Sequence, residues 1–380
     1  MRIGINTLFY VPGDVGGTET YLRNTLLEIA EAYPDDNLVV FTTRDNNDVL
    51  CRDLRSYSHV EFVPLAFRSA NRPLRIVLEQ VLLPFAVARA RVDVLWSPGY
   101  TAPALSPCPQ VVTVHDLQYK SHPIDMTFIE RIVLDILVRI ACRKCKAVIT
   151  VSEFSKQEVV KYNFASADKV KAVHLGVNKA FAEKVEMNEL SESYVSRFPK
   201  SPYILCVAHT YPHKNVHLLV DAFVRIQDKV PHNLVIVGKS RRGEYLIFKS
   251  LQHVKHPERV NRFEELNFTE LRHLFQHAEL FVLPSAYEGF GLPVLEAMMS
   301  GTLVVAGKKA SVPEVGGECI LYCDPLEDKK IAESILRALS LSSEQKMPML
   351  ANAQSRAALF TWQVTGHRTM NVLKKTVLNV

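Results

Sequence analysis

Short apolar runs alternate with longer amphipathic ones along this whole chain, and that alternation decides what it can fold into. Strand-length runs separated by helix-length segments cannot pair through hairpins; they build a parallel sheet whose crossovers are helices. In the first half the strand-like runs are "RIGINTLF", "NLVVFTT", "VEFVPL", "VDVLWSP", "QVVTVHD", "AVITVS" and "VKAVHLG". Between them lie helical stretches such as "TYLRNTLLEIAEAY" and "LRIVLEQVLLPFAVARA". After the polar gap "EKVEMNELSESYVSRFPKS" the rhythm restarts with "YILCVAH", "NLVIVGK", "VNRFEEL", "LFVLPS", "TLVVAG" and "CILYCD". The reading is two doubly wound α/β domains, residues 1–178 and 200–362, joined near 178–200. A length of 380 residues suits two such domains, each with its own core. Ligands of these sheets bind beyond the carboxyl ends of the strands, so informative residues should lie just after strands.

Hydrophobic residues make up 48% and charged residues 22%, the proportions of a globular protein rather than a disordered one. Forty-five basic against 40 acidic residues give a formal +5. So mild an excess does not indicate nucleic acid; it suits an anionic small substrate or an acidic membrane surface. The opening "MRIGINTLFY" reads as a core strand, not a signal peptide, and no apolar stretch reaches the roughly 18 residues of a transmembrane helix. Seven cysteines scattered through apolar segments fit a reduced, cytoplasmic protein. Cys142 and Cys145 have the spacing of half a zinc site, but no second pair completes it. They read as buried or half-buried thiols at a helix end, and Cys319 and Cys323 as core residues on one side of a strand. No metal is expected.

Residues 285–301, "SAYEGFGLPVLEAMMSG", place Glu288 in a glycine-rich loop and Glu296 in the helix that follows. Gly289 and Gly291 permit backbone conformations closed to other residues, Pro293 suits the first helical position, and Gly301 ends the helix. Such a helix N-terminus is an anion site, beside which two carboxylates are tolerable only if they face uncharged hydroxyls. Two other loops of the second half supply cations. Lys214 in "PHKNVHLLVDAF" precedes an amphipathic helix, and Lys239, Arg241 and Arg242 follow the next strand. The three loops outline a diphosphate pocket. Cations and backbone donors would hold the diphosphate, leaving Glu288 and Glu296 to accept hydroxyls of the rings on either side. In the first half, Gly13, Gly16 and Gly17 make a strand-to-helix turn with Thr18 as the cap. His115 and Asp116 end a strongly apolar strand, where a histidine is well placed for ligand contact. Ser152 reads as an N-cap without a full capping box, because Ser155 stands where Glu or Gln would. The glycine turn is not G-x-G-x-x-G and no ribose-binding acid follows the second strand, which disfavours a nicotinamide dehydrogenase.

With these residues the chain resembles the retaining GT-B glycosyltransferases of family 4 along nearly its whole length. The most specific element is E-x7-E, Glu288 to Glu296 in "EGFGLPVLE". Supporting elements are "GGTETY", "VHDLQY", "TVSEFSK", "HLGVN", "PHKN" and "VPEVGGE". The resemblance implies a GT-B fold, two Rossmann-like domains facing across a cleft, the first on the acceptor side and the second on the donor side. Residues 363–380 would form a helix crossing back to the first domain. It implies that Glu288 contacts donor-sugar hydroxyls, Glu296 the nucleotide ribose, His115 the sugar near the reaction centre, and Lys214 the diphosphate. Gly289, Phe290, Gly291 and Leu292 would cradle sugar and phosphate, and Gly16 and Gly17 would approach the donor. Where the family commonly reads P-R-K-N this chain has His213, so either His213 or Arg241 takes the part of the arginine. The implied reaction is front-face transfer of a hexosyl group from a GDP- or UDP-sugar to a saccharide or lipid-linked saccharide, without metal or cofactor. GDP-mannose is the first candidate donor. A sugar-nucleotide epimerase, a phosphorylase and a binding scaffold without turnover are the competing readings. The arginines at positions 68, 72, 75, 89 and 91 rim an apolar helix; the sequence favours a core helix with a solvated basic rim over a membrane-touching one.

Overall fold

A computed structural model of the protein describes residues 1–14 and 16–378. It divides into two units, one of residues 1–117, 126–176 and 361–380, the other of residues 118–125 and 177–360. Residues 379 and 380, the end of the expected C-terminal helix, lie outside the described residues.

The first half of the chain runs β1 (Arg2–Asn6), α1 (Gly17–Ala32), β2 (Asn37–Thr43), α2 (Asn47–Leu54), β3 (Val60–Leu65) and α3 (Arg72–Ala90). It continues through β4 (Val94–Ser97), β5 (Gln110–Val114), α4 (Gln118–Ser121), α5 (Phe128–Lys144), β6 (Ala147–Thr150), α6 (Glu153–Lys161) and β7 (Val170–Ala172). All seven strands pair in parallel, in the order β3-β2-β1-β4-β5-β6-β7. Because helices cover both faces, interior strands are apolar throughout rather than alternating, as in β2, where every residue after Asn37 is buried. Right-handed crossovers put α1 and α2 on one face and α3 and α5 on the other.

The second half runs α7 (Glu192–Arg197), β8 (Tyr203–Val207), α8 (Val216–Ile226), β9 (Asn233–Val237), α9 (Glu244–Leu251), β10 (Val260–Phe263), α10 (Phe268–His277) and β11 (Leu280–Leu283). Then come α11 (Leu292–Met299), β12 (Leu303–Gly307), α12 (Val312–Gly316), β13 (Leu321–Cys323), α13 (Asp328–Leu339), α14 (Ser343–Ala357) and α15 (Trp362–Leu378). Its parallel sheet has the order β10-β9-β8-β11-β12-β13. Both sheets reverse direction beside their first strand, and that reversal is where such sheets bind ligands.

α15 belongs to the first unit. Gly366 lets it approach Glu28 of α1, Tyr33 bonds His367 at 2.7 Å, and Thr365 donates to the carbonyl of His174 at 2.8 Å. Residues 118–125 follow β5 yet cluster with the second unit, through the ion pair of Asp125 with His213.

Four local expectations are corrected. The first residue of α1 is Gly17 and its N-cap is Gly16, at φ 54° with no side chain to cap it, so Thr18 lies inside the helix. Gly291 alone of the loop glycines takes a left-handed φ, 103°; Gly289 does not, and Pro293 stands second in α11 rather than first. Cys319 precedes β13 and is half-buried, whereas Cys323 in the strand is buried. Cys142 and Cys145 are buried where α5 ends, and burial pushes the Cys142 thiol up to about 12.

Gly238 joins the turns after β8 and β9. It sits at φ 149°, and a β-carbon there would fall 2.2 Å from the Ala208 carbonyl oxygen. Gly238→Ala is expected to cost roughly 2–4 kcal/mol in urea unfolding, since backbone rather than a flexible side chain must give way.

Candidate active site

In the second unit three loops meet at the sheet reversal. Those after β8 and β9 are laced by backbone hydrogen bonds, Ala208 N to Val237 O at 2.9 Å, Thr210 N to Lys239 O at 3.2 Å and Gly243 N to Thr210 O at 2.7 Å. The loop after β11 joins them where Ala286 N donates to the His213 carbonyl at 2.8 Å. Asn215 completes the assembly from a left-handed conformation, φ 52°, its amide donating to Pro284 O at 3.1 Å and Pro325 O at 2.8 Å. An asparagine tolerates that conformation, and its side chain closes the turn so that α8 can start at once.

Lys214 Nζ lies 2.8 Å from Glu288 Oε1, with Glu288 7% exposed. The expected cation and the expected hydroxyl acceptor are therefore partners of each other. The contact is an ion pair that gives a buried carboxylate a charged partner. Behind Glu288, Ser311 Oγ donates to its backbone carbonyl at 2.8 Å. α11 starts after its N-cap Gly291 and α8 after its N-cap Asn215, neither with a side-chain cap hydrogen bond. Both helix ends thus present backbone donors suited to an anion. Phe290 differs from the expectation of a ligand cradle: its ring is 4% exposed and packs edge-on to Phe360 at 5.9 Å. It anchors the loop. Leu292, 9% exposed, is the first residue of α11.

Glu296, one turn into α11, is half-buried, and its carboxylate has no hydrogen bond or ion pair among the described residues. Burial pushes it up to about 7. A carboxylate so placed is held ready for donors from outside the protein, and a vicinal pair of hydroxyls fits it. Arg241 is fixed through its backbone N, 2.6 Å from Thr210 Oγ1, and Lys239 pairs with Glu265 at 2.5 Å. His213 is 4% exposed and turned toward Asp125, with Nδ1 2.8 Å from Oδ2. Gln118 Nε2 lies 2.7 Å from that oxygen. Burial lowers the His213 pKa despite Asp125. At Asp125 burial opposes ionisation, yet the hydrogen bonds from His213 and Gln118 hold the carboxyl below its usual value. A neutral, buried imidazole committed to a carboxylate is a poor stand-in for an arginine. Of the two candidates for that part, His213 is the worse fitted. Sequence reasoning did not find Asp125, because its partner is 88 residues away.

In the first unit His115 follows β5 and is 6% exposed. Its Nε2 lies 2.8 Å from the Pro98 carbonyl oxygen. A carbonyl only accepts, so Nε2 carries the proton and Nδ1 is the acceptor. Burial lowers its pKa to about 4, which keeps the ring neutral at physiological pH. The Gly16–Gly17 turn is held by Glu19, which accepts from Tyr10 OH and from Gly13 N, each at 2.8 Å. Glu19 went unread as a clamp because a first-turn glutamate looks like ordinary helix chemistry. Ser152 caps α6, accepting from Ser155 N at 3.0 Å.

Comparison with known proteins gives the family and the fold. Residues 189–356 match the family described as Glycosyl transferases group 1, and residues 15–181 match Glycosyltransferase Family 4. The chain belongs to these GT-B glycosyltransferases. It is 30% identical over 226 residues to the O-antigen chain mannosyltransferase RfbU of Salmonella typhimurium, a match covering 60% of each protein. It is 26% identical to the O-antigen chain mannosyltransferase B of Escherichia coli over 70% of each. Its fold superposes on Anabaena Alr3699/HepE, solved with UDP and glucose, with a TM-score of 0.75 at 19% identity, covering 99% of this chain and 100% of that one.

The pKa of Glu296 is raised in the fold, from 4.5 to about 7, so the ionised form is the costly one. The stability it permits is full below about pH 4.5 and lost as pH rises through about 7. Glu296→Gln should therefore match wild type near pH 4.5 and exceed it by roughly 2 kcal/mol at pH 8 in urea unfolding, allowing for partial solvent contact.

Proposed function

We propose that this glycosyltransferase is a retaining mannosyltransferase of polysaccharide assembly, moving mannose from GDP-mannose to a saccharide or lipid-linked saccharide. The observation that carries this reading is the Lys214–Glu288 pair beside the uncapped start of α11, with the unpartnered carboxylate of Glu296 one turn further on. Lys214 and the α11 amides would hold the diphosphate, Glu296 the ribose and Glu288 the sugar hydroxyls. Arg241 is the remaining candidate for a second phosphate cation. His115, neutral with Nδ1 as acceptor, would take a hydroxyl of the donor sugar. The mannosyl assignment is supported by the two O-antigen mannosyltransferases to which the chain is similar. A UDP-hexose is the second candidate donor, by its likeness in fold to the UDP- and glucose-bound HepE.

In the proposed step the bond from the anomeric carbon to the β-phosphate oxygen breaks, and that oxygen gains negative charge. Lys214 and helix-end amides stabilise the charge as it develops. The acceptor hydroxyl attacks from the same face and passes its proton to the departing phosphate, so configuration is retained. No metal enters this scheme.

The reading extends to a place at the cytoplasmic face of a membrane. No helix among the described residues is long and apolar enough to cross one. On α3, Leu74, Val77, Val81 and Phe85 form an exposed stripe, with Phe85 73% exposed. The favoured core-helix reading of that segment holds only for its inner side, Leu83 and Val87. α5, on the same face of the sheet, exposes Phe128, Ile129, Ile132 and Ile136 beside Arg139 and Arg143. Sequence reading passed over this stripe because its spacing is that of a core helix. Apolar stripes rimmed by arginines fit an anionic lipid surface.

Two measurements test this. GDP and GDP-mannose, in EDTA, should raise the melting temperature of wild type by several degrees and of Glu296→Ala by much less; stabilisation by NAD alone, or by no nucleotide, would overturn the donor site. Wild type should sediment with phosphatidylglycerol vesicles at low salt, and Phe85→Ser/Ile129→Ser should stay in the supernatant.

A further inference from the structure

Between β4 and β5 the chain has no regular secondary structure, yet this loop determines the state of His115. Pro98 supplies the carbonyl that places the imidazole proton on Nε2. Tyr100, at φ 69°, lays its ring 5.2 Å from the imidazole centroid, and its N–H donates to Thr113 O at 3.0 Å. A non-glycine residue at positive φ persists only where its surroundings over-determine it. Part of that constraint comes from Gly99, where a β-carbon would meet the Phe9 ring at 2.2 Å.

The rest comes from two adjacent residues of α3. Glu79 is 3% exposed; its Oε2 accepts from Thr101 Oγ1 at 2.8 Å and its Oε1 from Asn6 Nδ2 at 2.7 Å. Asn6 Nδ2 also lies 3.2 Å from Ser97 Oγ, at the start of the same loop. Gln80 clamps the loop's far end, its Nε2 donating to Ala102 O at 3.2 Å and its Oε1 accepting from Ala104 N at 2.8 Å. Burying a carboxylate is costly, and nothing about packing α3 against the sheet requires one: Leu83 and Val87 do that. What Glu79 provides is two acceptor oxygens at fixed positions, one for Thr101 in the loop and one for Asn6 of β1, whose amide also reaches Ser97 at the loop's start.

We infer that Glu79 and Gln80 are positioning residues, which lock the 98–104 loop and through it the orientation and Nε2–H tautomer of His115. The inference deepens the reading of His115 as a donor-sugar contact, and its test has an arm that does not depend on that reading.

The test uses the full chain labelled with 15N-histidine, the His115 signals being identified by their loss in His115→Gln. Wild type should show one Nε2-protonated tautomer across pH 6–8. In Glu79→Gln, and separately in Gln80→Ala, the ring signals should shift toward a mixture of tautomers. GDP release from GDP-mannose should slow about 10- to 100-fold with its KM changed less than about twofold, the mark of lost orientation rather than lost binding. Gln80→Ala, at a half-buried site, keeps the test open should Glu79→Gln fold poorly. Unchanged imidazole signals in a folded variant would overturn the inference, as would a fall in melting temperature alone. Full GDP release by His115→Gln would instead overturn the donor-sugar role of His115, leaving the spectroscopic result to decide the positioning.

Discussion

A parallel strand cannot return to its neighbour through a hairpin, and the rest of this structure depends on that constraint. Each strand must be followed by a crossover, so every strand-to-helix loop emerges at the same edge of its sheet. Where the strand order reverses, beside β1 and beside β8, successive loops part and leave an opening lined by helix N-termini. The backbone amides there are left over by the geometry of a helix, and they favour anions before any side chain is considered. What the sequence adds is a selection of short, closely laced loops, so that Lys214, Glu288 and Glu296 reach that opening from separate elements.

The three carboxylates around the two openings are held in three ways. Glu288 is buried and paired with an ammonium. Glu79 is buried among neutral donors and raised by that burial above its ordinary value. Glu296 is half-buried without a partner among the described residues and raised to about 7. Only the last is free to change partners, which is what binding a hydroxyl pair asks of it. His115 shows the complementary device: burial makes it neutral and a backbone carbonyl chooses its tautomer, so an ionisable ring becomes a fixed acceptor.

Much of this was legible in advance because it is local. The strands of the described residues lie where apolar runs bounded by turn residues put them, and in interior strands such as β2 and β5 burial on both faces leaves a continuous apolar signature. The E-x7-E spacing, the lysine before α8 and the histidine after β5 were readable because loops after parallel strands can point only one way. Side-chain direction was less accessible. Phe290 stands in the most diagnostic motif yet turns inward onto Phe360, a residue 70 positions on. His213 occupies an arginine's place in the motif, but Asp125 and Gln118 turn it to another task.

By itself the sequence determined the class of fold, the number of strands, the loops that carry chemistry and the residue types in them. Periodicity and turn chemistry are short-range, and they suffice for that. Tertiary structure alone decided which of those groups meet. It paired Lys214 with Glu288, left Glu296 unpartnered, sent residues 118–125 to the second unit and set Glu79 beneath the loop that holds His115. Partners dozens of residues apart are chosen by packing and desolvation, and those energies exist only once the chain has closed around them.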